Sequence, residues 1–304
     1  MKPFADRLID AVRRKGNPCI AGLDPRIDLM PEFIKSGRGA LSRDVVRSIV
    51  TDFHELVLDA LADLIAAVKP QLAFYEQYGI GGMEAFENTV NAARQRGLLV
   101  IADGKRNDIS STAEAYATAF LSDTAFDADS MTVTPYLGRD SLVPFADACA
   151  KYGKGLFVVL KTSNPGSRDF QDQPLEGTGR PLYETIATMI NDLGKELIGE
   201  SGYSAIGAVV GATFPDDGRK LRALMPRAII LVPGYGAQGG SAQSAAACFD
   251  ENGLGAVVSS SRGTTYSYSG PDISRSAYTQ TVRENMLRMI DDVRKAISVP
   301  AQVP

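Results

Sequence analysis

Residues 98–108 read LLVIADGKRND. The apolar residues Leu98 to Ala102 follow one another without the alternation expected of a strand with one wet face, and then Asp103, Lys105 and Asp108 crowd around a glycine. An unbroken apolar run is what a parallel strand covered on both faces requires. Charges set where such a strand ends are what the C-terminal rim of an α/β barrel carries.

The same grammar repeats on either side. Runs rich in Val, Ile and Leu recur as PCIAGLD (18–24), AAVKPQLAF (66–74), LLVIADG (98–104), DSMTVTP (129–135), GLFVVLKT (155–162), AIGAVVGAT (205–213), AIILVPG (228–234) and GAVVSSSRG (255–263). Amphipathic segments separate them. Between about 44 and 66, Val46, Ile49, Phe53, Leu56, Ala60 and Leu64 recur at three- and four-residue steps and give one apolar helix face. Ser111 and Glu114 have capping-box spacing for the helix after the third strand. A last helix is expected over about 274–297. Phe4, Leu8 and Val12 mark a short amphipathic helix at the N-terminus. Eight strand–helix units without a long linker predict a single (β/α)8 TIM barrel spanning 1–304, a length at which such barrels are commonly one domain.

Composition narrows the function classes. The net charge is −4 with acids and bases interspersed, so no basic stripe suggests nucleic acid. Cys19, Cys149 and Cys248 form neither a CxxC pair nor a disulfide framework, and they fit a reducing, cytoplasmic setting. No secretory signal or transmembrane span is read, so no membrane partner is expected. The single histidine, His54, sits in a helical pattern and reads as a helix-surface residue. A Ser-His-Asp triad or a multi-histidine zinc site would be hard to build from it.

The polar residues at the strand ends carry the chemistry. Asp103 and Lys105, two apart on a strand, project to one face. Each keeps the other ionised. Asp24 at the end of the first strand and Lys69 on the second add an acid and a base to the same rim. Four such charges are costly to assemble for stability alone. PGYGAQGG (233–240) matches G-x-G-x-x-G at Gly234, Gly236 and Gly239 but lacks the acid that a dinucleotide fold places at the end of the next strand. It reads better as a phosphate cradle, with backbone N–H groups near Gly236, the Gln238 amide and the Arg262 guanidinium as donors. A plain glycine-rich turn is the alternative. The longest irregular stretch, SNPGSRDFQDQPLEGTGRP (163–181), fits an active-site lid as well as a surface excursion.

At these residues a family becomes recognisable. DGKRNDI (103–109) resembles the D-x-K-x-x-D-I signature of orotidine 5′-phosphate decarboxylases, and FYEQYG, KTSNPGS and VPGYGAQGG are similar to the longer bacterial branch of that family. The signature is shared with hexulose-phosphate synthase and ketogulonate-phosphate decarboxylase, and the added segments favour the nucleotide enzyme. The resemblance implies loss of CO2 from orotidine 5′-monophosphate to give uridine 5′-monophosphate, the last step of pyrimidine nucleotide synthesis, without metal or organic cofactor. It implies that Asp24 and Lys69 hold the ribose hydroxyls and that Asp103 and Lys105 face the reacting carbon. It implies a homodimer in which Asp108, with Ile109 and Thr112 near it, completes the partner's site. Ser163 would contact the pyrimidine, and Gln238 and Arg262 the phosphate.

Three other readings use the same residues. A Mg2+-dependent sugar-phosphate enzyme would use the strand-end acids as ligands. A Schiff-base aldolase would need a neutral amine, which Lys105 between acids does not supply. A nucleotide sensor would need only the phosphate and ribose contacts.

Overall fold

The computed structural model describes residues 2–297 apart from 124, 212, 214 and 237–239. Eight strands, β1 (Cys19–Leu23), β2 (Ala67–Pro70), β3 (Leu99–Arg106), β4 (Ser130–Val133), β5 (Gly155–Lys161), β6 (Ser204–Val210), β7 (Ala228–Pro233) and β8 (Ala256–Ser260), pair in parallel and in sequence order. β1 pairs with β8 in the register Cys19↔Val258, which closes the barrel. Helices on the outside cover the strands, so the strands are buried on both faces, as their apolar runs demand.

Alternation sorts the strand residues. Ile20, Ala67, Ile101, Phe157, Val209, Leu231 and Val257 form the inner cluster together with Phe4, Leu8 and Val12 of the helix Phe4–Lys15. That helix closes the lower end of the barrel. Phe4 meets Phe157 edge-on with centroids 5.9 Å apart, and a Cβ at Gly155 would lie 2.1 Å from the Phe4 ring, so only glycine fits there. Removing a ring of this kind from a core costs about 3–5 kcal/mol. Met131, Val158, Val232 and Val258 point the other way, into the layer shared with the helices. Above the apolar inner layer the inward positions turn polar, with Lys69, Asp103, Thr132 and Ser259. The sequence therefore puts hydrophobic packing at the bottom of the barrel and chemistry at its upper mouth.

Three expectations change. The helix expected over 44–66 is Arg43–Leu61, capped by the Ser42 hydroxyl; Leu64 sits in the turn that lifts the chain into β2. The helix after β3 is Ser110–Leu121 with Ile109 at its N-cap, so Ser111 is inside the helix and makes no capping box with Glu114. His54 is not on a surface. It is buried between helices, its Nδ1 3.0 Å from Tyr75 Oη and 3.2 Å from Thr89 Oγ1. Burial pushes the imidazole down to about 3, which makes it a neutral core group.

Candidate active site

The rim of the barrel surrounds a cavity of about 620 Å³ lined by residues from six strands and the loops beyond them. Asp103 is its centre. The carboxylate is buried, and four groups donate to it. Lys69 Nζ at 2.5 Å and Gln71 Nε2 at 3.0 Å reach Oδ2; Lys105 Nζ at 2.7 Å and Thr132 Oγ1 at 2.9 Å reach Oδ1. Burial alone would raise the Asp103 carboxyl, but Lys69 and Lys105 outweigh it and hold it well below the carboxylate range. Lys69 is fully enclosed. Burial would lower its ammonium, yet Asp103 and Asp24 raise it above the ordinary lysine value.

Lys105 reaches the mouth by an unusual backbone. Its φ is +46°, and the β3–β4 register shifts between Ala102 and Arg106. A left-handed non-glycine residue costs about 1–2 kcal/mol. The position is held because the Lys105 N–H donates to Thr132 Oγ1 at 2.9 Å, so one threonine hydroxyl orders both the lysine backbone and the carboxylate beside it.

Asp24 lines the same cavity. Burial pushes its carboxyl above the ordinary value, against the pull of Lys69 and a hydrogen bond from Ser261. Its Oδ1 has no hydrogen-bond partner among the described residues, and neither has the buried Ser259 Oγ on β8. Orphaned polar atoms facing a cavity are what a polyhydroxylated ligand would satisfy. Gly22, just before Asp24, must be glycine because a Cβ there would lie 1.8 Å from Ser261 Oγ. Ser163 and Arg262 also line the cavity, beyond the ends of β5 and β8.

Other expected residues fall elsewhere. Asp108 is half-buried, accepts the Ile109 N–H at 2.8 Å and does not line this chain's cavity. Ile109 and Thr112 are exposed at the start of the helix Ser110–Leu121. Gly236 has φ +78° and donates to Gly240 O at 3.0 Å; Gly234 and Tyr235, rather than Gly236, line the cavity. Gln238 lies outside the described residues.

Gln71, Thr132 and Lys161 were missed by the sequence reading. Gln71 follows Lys69 by two residues, and Thr132 alternates inward with Ser130 on β4, so period-two spacing was the available signal. Among the described residues no group of three or more His, Cys, Asp or Glu is arranged to hold a metal ion. No helix among them is long and apolar enough to cross a membrane.

Comparison with known proteins places this geometry. Residues 40–261 match the family model described as "Orotidine 5′-phosphate decarboxylase / HUMPS family". An orotidine 5′-phosphate decarboxylase of Rhodopirellula baltica is 42% identical over 97% of this chain and 100% of its own. One from Caldicellulosiruptor saccharolyticus is 38% identical over 94% and 98%. Among solved structures, a putative orotidine 5′-phosphate decarboxylase from Streptomyces avermitilis superposes with a TM-score of 0.81 at 33% identity, covering 98% of this chain and 97% of that one. The Leishmania donovani OMP decarboxylase superposes with a TM-score of 0.75 at 28% identity, covering 98% and 100%.

Proposed function

This chain belongs to the orotidine 5′-phosphate decarboxylase / HUMPS family, and we propose that it converts orotidine 5′-monophosphate to uridine 5′-monophosphate and CO2. Relatives named as this decarboxylase align over nearly their whole length, which favours the nucleotide enzyme over the sugar-phosphate members of the family. The observation that carries the mechanism is the Lys69–Asp103–Lys105 array, two ammonium groups bridged by one buried carboxylate.

Loss of CO2 breaks the bond between C6 and its carboxylate and leaves the electron pair on C6. No ring position delocalises that pair. Lys105, held beside the cavity by Asp103, supplies a fixed positive charge where negative charge develops. Its Nζ–H then passes to C6, and the neutral amine regains a proton from water. Asp103 keeps both lysines in place and bears the charge that opposes the substrate carboxylate. Asp24 and Lys69 take the ribose hydroxyls, a role that suits the partnerless Asp24 Oδ1. Arg262 binds the phosphate with the loop after β7, where Gly234 and Tyr235 line the cavity and Gln238 follows in sequence. Ser163 meets the pyrimidine, and residues 163–181 act as the lid.

Asp108 has no place in its own chain's cavity. It stands with the exposed Ile109 and Thr112 at the outer edge of the mouth. This placement supports a homodimer in which Asp108 of one protomer enters the site of the other. The activity is tested by the ultraviolet absorbance of orotidine 5′-monophosphate mixed with purified protein and excess EDTA. Rapid loss is expected; an unchanged spectrum, with activity on sugar phosphates once Mg2+ is added, would overturn the assignment.

A further inference from the structure

β5 ends on Lys161, which follows Phe157 and Val159 on the inward face of the barrel. Its side chain lines the cavity and is only 2% exposed. None of the roles derived above uses it. Its ammonium is ion-paired to Asp172, a residue of the 163–181 loop, and lies 4.0 Å from Asp217 Oδ2 at the start of the helix Pro215–Leu224. It also stands 4.9 Å from the ring centroid of Tyr183, whose hydroxyl donates to Asp217 Oδ1 at 3.3 Å. One buried cation thus joins β5, the loop and the elements on either side of β6.

The loop is tied at the same level by its neighbours. Gln171 Oε1 accepts the Thr162 N–H at 2.9 Å, and Gln171 Nε2 donates to Thr162 Oγ1 at 2.8 Å. The Tyr183 N–H donates to Gln171 O at 3.1 Å and the Leu182 N–H to Gln173 O at 2.9 Å. Both ends of the excursion therefore converge on Gln171 and Asp172, while Phe170 beside them is 67% exposed. Thr162, Ser163 and Asn164, between Lys161 and these ties, line the cavity.

Burying an ammonium without a counter-charge is expensive. If the loop swung away, Lys161 would lose the carboxylate that faces it most closely, while Asp217 stands off at 4.0 Å. The charge pair therefore biases the loop stem toward the barrel before any nucleotide arrives. We propose that Lys161 is a positioning residue whose pair with Asp172 latches the lid stem, so that Ser163 and Asn164 are presented to the pyrimidine end of the nucleotide. This rests on the decarboxylase reading for what occupies the cavity.

The test uses Asp172→Asn and Lys161→Met in the full chain. With the latch lost, only a fraction of the protein holds the lid in place, so KM for orotidine 5′-monophosphate should rise about tenfold, as apparent affinity scales with the competent fraction. Once the nucleotide has closed the lid the chemistry is intact, so kcat should stay within about threefold. Chymotrypsin should cut the free variants at Phe170 about tenfold faster than the wild type, because cleavage follows the open population. Saturating uridine 5′-monophosphate should restore protection. The double variant should be no worse than either single change, because both break one pair.

A variant that melts cooperatively but keeps wild-type KM, or wild-type cleavage at Phe170, would overturn the latch; a lowered melting temperature alone would mark the pair as merely structural. Asp172 is 36% exposed, so Asp172→Asn decides the matter if Lys161→Met does not fold. The proteolysis needs no turnover. A wild-type protein inert toward orotidine 5′-monophosphate would therefore sink the proposed activity while the cleavage rates still judged the latch.

Discussion

Replacing Asp103 by asparagine keeps the size of the side chain and removes its charge. The carboxylate accepts from Lys69, Gln71, Lys105 and Thr132, and it is only 5% exposed. The two lysines respond differently. The Lys105 side chain is 43% exposed, so water replaces much of what it loses, and its share is about 0–1 kcal/mol. Lys69 is 6% exposed and, among the described residues, keeps Asp24 as its counter-charge. Breaking a buried pair on one side costs about 3–5 kcal/mol. The amide also points an N–H at one of the ammonium groups. We expect Asp103→Asn to lower the unfolding free energy by about 3 kcal/mol, read by urea denaturation at neutral pH. A similar loss expressed in the transition state would cut kcat/KM by at least about a hundredfold. A variant destabilised by less than about 1 kcal/mol, with turnover within about tenfold of wild type, would refute the claim that this carboxylate holds the array together.

Arg262→Ala should weaken uridine 5′-monophosphate binding by about 1.5–3 kcal/mol, the value of a hydrogen bond to a charged group, and calorimetry showing unchanged affinity would remove Arg262 from the phosphate site. His54 gives a pH signature. The unfolded imidazole takes a proton near 6.5 while the buried one stays neutral down to about 3, so acid favours the unfolded state across that window. From pH 6.5 to 5 the wild type should lose about 2 kcal/mol more than His54→Gln, and parallel urea-unfolding profiles would contradict the buried neutral histidine. Mixed Lys105→Ala and Asp108→Ala chains should regain part of the activity that each lacks alone, since a mixed dimer has one intact shared site; confirmed mixed dimers without recovery would exclude the shared site.

The barrel was legible because a parallel sheet buried on both faces leaves continuous apolar runs, and all eight runs became strands. The Asp103–Lys105 pair was legible because strand alternation places residues two apart on one face. Its cost was not: the left-handed backbone at Lys105 depends on Thr132, a residue of the neighbouring strand. His54 was misread for a similar reason, since its partners Tyr75 and Thr89 come from other helices. Ser111 had the right spacing for a cap, but the helix starts one residue earlier, and spacing cannot fix where a helix begins. The loop at 163–181 looked irregular by composition, yet Pro165–Asp169 forms a 3-10 turn and Gln171 and Asp172 are pinned to β5. Those ties join residues nine to eleven apart through side chains, and neither helical nor strand periodicity reveals them.

Lys105→Ala, measured on two axes, shows whether the Lys105 ammonium both stabilises and protonates the carbanion. Turnover of orotidine 5′-monophosphate should fall below detection in a stopped absorbance assay, while uridine 5′-monophosphate still binds through Asp24, Lys69 and Arg262. Substantial residual turnover in a folded variant with intact binding would show that another group supplies the proton, and the mechanism built on Lys105 would have to be abandoned.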